Sequence, residues 1–289
     1  LFYSENIAFK PEKKQIETPD NDFLEYDLYQ LDRKDAPIAI LLHGLEGSSN
    51  RYYIRTLAED CLYRGMHVAA LNFRSCGSGM NRQLRFYHSG EITDLQILIA
   101  HVSQSYPNSE IILMGFSLGA NVIQVYLGSS RVHPQVKKAV CISAPYQLQA
   151  SSLALMRGFN QIYQLKFLRS LKYKLEQKRK IYPELPLFKG STLYDFDDEI
   201  TSVIHGFHDA EQYYKQCSGA GYLHAISIPT LLIHSKQDPF CKLSVIPSDV
   251  IKQNKYLSTC ITTFGGHVGY VTIPSNWMHT VLLNWVFSE

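Results

Sequence analysis

The stretch Ile111-Ile112-Leu113-Met114-Gly115-Phe116-Ser117-Leu118-Gly119, running on into residues 120–127, decides the reading of this chain. Four apolar residues predict a strand covered on both faces, and the residues after Gly119 have helical spacing. Between them lies G-x-S-x-G. A strand that turns at once into a helix holds its apex serine in a strained conformation, tolerated only with small neighbours two residues before and two after. Gly115 and Gly119 supply that room. The turn lifts the Ser117 hydroxyl clear of the sheet, and the free N–H groups of the helix start favour negative charge beside it. Chemistry on a carbonyl is the natural use.

Strand and helix patterns alternate on both sides of this elbow. Residues 22–30 predict an opening antiparallel strand and 38–42 a continuous apolar one. A helix capped by Ser48 or Ser49 carries Ile54, Leu57, Ala58, Cys61 and Leu62 and stops at Gly65. Strands at 68–73 and 139–143 and a helix around 92–102 follow. After residue 229 come a strand at 230–233, a helix near 245–252, a strand at 260–264 and a closing helix at 277–287. This repetition predicts an α/β fold with a mostly parallel, doubly wound sheet. From 146 to 228 the patterns are helical and rich in Leu, Phe and Tyr. The expected organisation is therefore a core in two parts, 1–145 and 229–289, with a helical cap at 146–228 roofing the serine.

A serine hydroxyl needs a base within hydrogen-bond reach, oriented by a carboxylate. In elbow folds the chain order is serine, acid, histidine, with acid and base on loops at the carboxyl ends of later strands. Asp238, in the turn after 230–233, and His267, in Gly265-Gly266-His267-Val268-Gly269, fit. Asp209 and Asp249 compete less well for the acid's place, one in the cap and the other in a helical pattern. In Leu42-His43-Gly44-Leu45-Glu46-Gly47 the backbone matters most: the N–H of Leu45, with that of Leu118, is expected to hold an oxyanion, while His43 braces the loop.

Residues 43–49, Asn72-Phe73-Arg74-Ser75-Cys76-Gly77, 115–121, Asp197-Asp198 with Thr201, Gly206-Phe207, Tyr213-Tyr214 and 265–269 together resemble the YheT-like α/β-hydrolases across nearly the whole chain. The resemblance implies a hydrolase core with a helical cap, no cofactor or metal, and small carboxylic esters with short or medium acyl chains as substrates. Its triad falls on Ser117, Asp238 and His267. Relatives of this kind include ester-forming acyltransferases and membrane-anchored lipases, so acyl transfer and lipid cleavage stand as alternatives to simple esterase action. A non-catalytic binder would need a lost triad member, and none is lost here. The chain lacks an H-x-x-x-x-D acyltransferase motif. It also carries Ser75 after Arg74 where the family usually has glycine.

Composition narrows the rest. With 28 Lys and Arg against 26 Asp and Glu, the net charge of +2 implies no nucleic-acid partner. Six scattered cysteines suit a reducing, cytoplasmic setting, and Cys76 is expected to be a spectator thiol. Residues 1–14 lack the apolar core of a signal peptide, and no apolar run reaches membrane-spanning length. An anchor upstream of Leu1 stays open, since the chain does not begin with Met. His205 and His208, with Asp209 and Glu211, could form a metal pair, but Gly206-Phe207 between them reads as a packing turn. Residues 157–180 carry Lys166, Arg169, Lys172, Lys174, Lys178, Arg179 and Lys180 beside Ile162, Leu165, Leu168, Leu171 and Leu175. The expected reading is a cap helix packing its leucines inward beneath a solvated basic face, with peripheral membrane contact as the alternative.

Overall fold

A computed structural model describes residues 9–270 and 277–288. The elements before the serine are β1 (Glu12–Glu17), β2 (Phe23–Tyr29), β3 (Ile38–Leu42), α1 (Tyr52–Tyr63), β4 (His67–Asn72), α2 (Thr93–Ser105) and β5 (Ile111–Phe116). After it come α3 (Leu118–Ser129), β6 (Val136–Ile142), α4 (Leu148–Leu155), α5 (Asn160–Arg179), α6 (Leu193–Phe196), α7 (Ser202–His205) and α8 (Ala210–Cys217). The chain closes with β7 (Thr230–Ser235), α9 (Ser248–Gln253), β8 (Leu257–Thr262) and α10 (Trp277–Phe287). The strands form one sheet in the order β1-β2-β4-β3-β5-β6-β7-β8, parallel from β4 to β8 and antiparallel at β1, β2 and the β2–β4 junction.

Alternation along the strands builds two cores. Ile38, Ile40 and Leu42 face the side covered by α2 and α3, where Leu95, Ile99, Ile123 and Tyr126 pack. Ala39 and Leu41 face the other side with Ile54 and Leu57 of α1 and Leu282 of α10. Helices therefore cover both faces. Between β6 and β7, helices α4 to α7 join a third cluster, in which Leu155, Leu168, Leu175, Leu193 and Phe196 meet Phe240, while α8 packs Ala210, Tyr213, Tyr214 and Cys217 against Leu148. These helices place their inner surface above the carboxyl end of the parallel strands.

Four local expectations need correction. Residues 12–17 (Glu-Lys-Lys-Gln-Ile-Glu) form β1, an edge strand whose charges pass for a polar lead-in. Helix α1 starts after Arg51 with no side-chain cap, because Ser49 is turned inward and donates to Asp27 at 2.8 Å. Strand β8 begins three residues earlier than its apolar residues suggest, in register with β7, and Phe264 is left exposed. In α5 the buried stripe is Gln164, Leu168, Leu175 and Lys178, whereas Ile162 and Leu165 face outward.

One buried charge cluster ties the loop after β4 to the rest. The Arg74 guanidinium donates to Asp94 at 2.8 Å, Asp22 at 2.7 Å and Asp20 at 2.8 Å. Arg74, Asp22 and Asp94 have almost no exposed surface. Burial pushes the Asp94 carboxyl up despite its arginine partner. Burial pushes Asp22 the same way, but hydrogen bonds from Asn81 and from the N–H groups of Arg82, Phe23 and Gln83 hold it down. The neighbouring Ser75 adopts φ +62°, the left-handed region in which glycine is at ease, and its hydroxyl compensates by donating to Asn81 at 2.6 Å. Arg74→Leu leaves two carboxylates without their cation in the interior, and a loss of about 3–5 kcal/mol is expected. Urea unfolding of variant and parent measures it. A difference below about 1 kcal/mol would show that the cluster contributes little.

Candidate active site

Ser117 sits between β5 and α3 with φ +52° and ψ −118°, a conformation that costs a non-glycine residue about 1–3 kcal/mol. The flanking glycines make it possible. A Cβ on Gly115 would lie 2.6 Å from the Gly119 backbone, and one on Gly119 would lie 2.6 Å from the Leu42 carbonyl, so strand, helix and the end of β3 meet without side chains between them.

His267 reaches the serine from the loop after β8. Its Nε2 lies 2.7 Å from Ser117 Oγ and its Nδ1 2.8 Å from Asp238 Oδ2. Because a carboxylate can only accept, the proton on the ring belongs at Nδ1, which leaves Nε2 free to accept from the serine hydroxyl. Gly266 N–H donates to the Gly269 carbonyl at 2.8 Å, and Ser235 Oγ donates to Gly265 at 2.9 Å, pinning the loop to the end of β7. Gly265 takes φ +141°, and a Cβ there would meet the Tyr270 ring at 2.9 Å. The Phe240 ring packs edge-on against the imidazole at 4.8 Å.

Asp238 is buried in the turn after β7. Burial raises its carboxyl, but the hydrogen bond and charge of His267 and the N–H groups of Phe240 (2.9 Å) and Cys241 (3.0 Å) outweigh that, so it lies below its ordinary value and is ionised at neutral pH. Asp209 instead caps α8 and Asp249 lies in the first turn of α9. Asp238, Cys241 and His267 also bring three ligand-type atoms within 4.8 Å of one another. Burial keeps the Cys241 thiol protonated, and the other two groups already hold each other, so this trio suits proton handling better than cation binding.

The loop after β3 lies against the serine: a Cβ on Gly44 would be 3.2 Å from Ser117 Cβ. Its amides on either side of Leu45 are taken up. Gly44 N–H donates to Tyr53 at 3.0 Å, Glu46 N–H to Tyr87 at 2.8 Å and Gly47 N–H to Gly44 at 3.0 Å. Neither Leu45 N–H nor Leu118 N–H, at the first position of α3, has a partner among the described residues. Buried His43 braces this loop: Phe73 N–H donates to Nε2 at 3.2 Å, so Nδ1 carries the proton and donates to Gly44 O at 2.7 Å. Burial lowers its pKa to about 3 and keeps it neutral.

Two features of the site escaped sequence reading. The Glu46 carboxylate is held by Tyr87 and Lys174 at 2.8 Å each and by Ser170, so the loop after β3 is tied to α5. Lys174 also donates to Cys76 at 3.2 Å, and burial pushes that thiol up to about 11, which makes it a poor nucleophile. Asp197, beside Leu193 and Tyr213 in the wall of the cavity over Ser117, accepts from Tyr214 and Thr201 at 2.8 Å each. Burial raises it to about 6. Both acids stand in motifs visible in the sequence, but their partners lie up to 128 residues away. His205 and His208 separate: the first is half-buried against His88 at 4.5 Å and the second is exposed beside Asp209.

A family model described as the alpha/beta hydrolase fold matches residues 37–257. The chain belongs to that family. Among curated relatives, this hydrolase is 34% identical to YheT of Escherichia coli (strain K12), over 98% of the present chain and 87% of that protein. It is 28% identical to a monoacylglycerol lipase of Saccharomyces cerevisiae over 83% of the chain, spanning 56% of the yeast protein. Among solved structures, the esterase Pf2001 of Pyrococcus furiosus superposes with a TM-score of 0.65 at 19% identity, covering 96% of the hydrolase and 92% of that chain. The likeness to Pf2001 is one of fold. No helix among the described residues is long and apolar enough to cross a membrane.

Proposed function

We propose that the protein is a serine carboxylesterase that cleaves short- to medium-chain esters through an acyl-enzyme. The observation that carries this reading is the unbroken hydrogen-bonded chain from Ser117 through His267 to Asp238, with ionised Asp238 fixing the ring proton at Nδ1. Ser117 Oγ attacks the ester carbonyl as His267 Nε2 takes its proton. The carbonyl oxygen becomes an oxyanion, received by the N–H groups of Leu45 and Leu118, which have no partner among the described residues. His267 then passes its proton to the departing alcohol oxygen, the C–O bond breaks, and Ser117 is acylated. Water, giving a proton to Nε2, attacks the acyl carbon; the proton returns to Ser117 Oγ as the acid leaves. Asp238 steadies the imidazolium at both stages without taking the proton. The relatives named for esterase or lipase activity support ester cleavage as the reaction class.

The cavity supports a short to medium acyl length. Its volume of about 620 Å³ lies within the range that encloses one small ligand, and Leu118, Leu148, Leu155, Phe167, Leu171 and Leu193 make its wall apolar. Among p-nitrophenyl esters from acetate to palmitate, kcat/KM is expected to rise up to a chain length between butyrate and octanoate and to gain nothing further by palmitate, since each methylene that finds apolar wall adds about 0.8 kcal/mol and those beyond it add none. Constant kcat/KM across the series would contradict the assignment of chain length. Product analysis with added alcohol separates hydrolysis from acyl transfer.

A further inference from the structure

Helix α5 departs from what a simple lid requires. Its inward stripe is buried, but on the outward side of its first half Phe159, Ile162 and Leu165 are 89%, 66% and 64% exposed. These residues are spaced i, i+3, i+6 along one side, and Tyr163, half exposed, continues the patch to the cavity mouth, which it lines together with Lys166. A collar of basic groups surrounds the patch: Arg157, Lys166 and Arg169 are exposed and form no ion pair among the described residues, and Lys172 lies over the Phe188 ring at 4.7 Å. Acidic residues are sparse around them: Glu176, one turn beyond Lys172, forms no ion pair among the described residues. From Ile111 to Leu175 the chain contains no Asp or Glu, and the Glu46 carboxylate is turned inward to Lys174 and Ser170.

We infer that the first half of α5 is a docking face for the surface of a lipid bilayer containing anionic phospholipid, which it holds against the mouth of the cavity. The three apolar side chains offer no hydrogen bonds and gain by entering the acyl boundary, while the basic collar sits at headgroup level and is drawn to negative charge. An aromatic at each end of the patch, Phe159 and Tyr163, suits an interface that is apolar on one side and wet on the other. A second copy of this chain fits poorly, because a two-fold contact sets the collar against an identical collar. Nucleic acid accounts for the charge but leaves the exposed phenylalanine, isoleucine and leucine in water. Continuity with the cavity gives the face a purpose, since a medium-chain ester dissolved in the bilayer meets apolar wall there as soon as it leaves.

Flotation of the full chain with vesicles tests this without any turnover, so the result stands apart from the assignment of Ser117. Phosphatidylcholine vesicles containing a quarter phosphatidylglycerol are expected to bind the protein at least about tenfold more tightly than phosphatidylcholine alone, with most of the difference lost in 0.5 M salt. Phe159→Asp with Ile162→Asp should weaken binding at least about tenfold, and Arg169→Glu with Lys172→Glu should abolish the preference for anionic vesicles. Both pairs should keep the parent's rate on dissolved p-nitrophenyl butyrate within twofold, which shows that they fold. Absence of vesicle binding by the parent protein overturns the inference. So does binding that the substitutions leave unchanged. A dimer of the parent in sedimentation velocity that Phe159→Asp splits into monomers overturns it as well, assigning the face to a second copy.

Discussion

Ser117→Ala is expected to lower kcat on p-nitrophenyl butyrate by about 10⁴- to 10⁶-fold while leaving fold and stability close to those of the parent. Loss of the nucleophile removes the acyl-enzyme route altogether, and what survives is catalysis by the oxyanion donors and by binding. The magnitude follows from concerted action. His267 has no hydroxyl to activate once Ser117 is gone, so His267→Ala should cost nearly as much, and the double variant little more than either alone. Near-additive losses, or a Ser117→Ala enzyme retaining more than about 1% of parent activity, would mean that another group carries the reaction. The alanine substitution relieves no backbone strain, because φ +52° is as unfavourable for alanine as for serine. Equal unfolding midpoints for parent and variant would show that the effect is chemical.

Asp238→Asn should reduce kcat by about 10⁴-fold with KM nearly unchanged. An amide that turns its NH₂ toward Nδ1 favours the tautomer with the proton on Nε2, the nitrogen that must accept from Ser117. It also leaves the imidazolium without its counter-charge. The same carboxylate links activity to acid stability. Its folded value lies below the ordinary 3.8, so its contribution to stability is complete above about pH 4 and is lost as pH falls through the depressed value. The asparagine variant should therefore lose stability less steeply than the parent in that acid range. A twofold change in kcat, or identical acid unfolding of the two proteins, would show that Asp238 does not govern the imidazole.

Much of this was legible in the residues because it is local or strictly ordered. G-x-S-x-G between an apolar run and a helix pattern admits few backbones, and Asp238 and His267 were found from their order and their positions at strand ends. The α/β fold followed from alternation alone. Legibility failed where long-range contact overrides local pattern. Strand β1 is stabilised by pairing with β2 rather than by burial of its own side chains, so its sequence carries no apolar period. Ser49 has every local credential of a helix cap, yet bonds Asp27 across the sheet. In α5 an apolar residue every three or four positions gives the period but not which of two apolar sides faces the core. The brace from Glu46 to Lys174 joins residues 128 apart and leaves no mark on either neighbourhood. Ser75 is the converse case, where the departure from the family's glycine is visible in sequence and appears in the fold as a positive φ stabilised by Asn81.

The central claim is that Ser117 is an activated nucleophile because His267 and Asp238 converge on it, and covalent trapping tests this most directly. A fluorophosphonate should add one phosphonyl group per chain, and peptide mapping by mass spectrometry should place it on Ser117. The labelling rate should fall by at least about a thousandfold in His267→Ala. Adduct on another residue, or equal labelling rates for parent and His267→Ala, would contradict it.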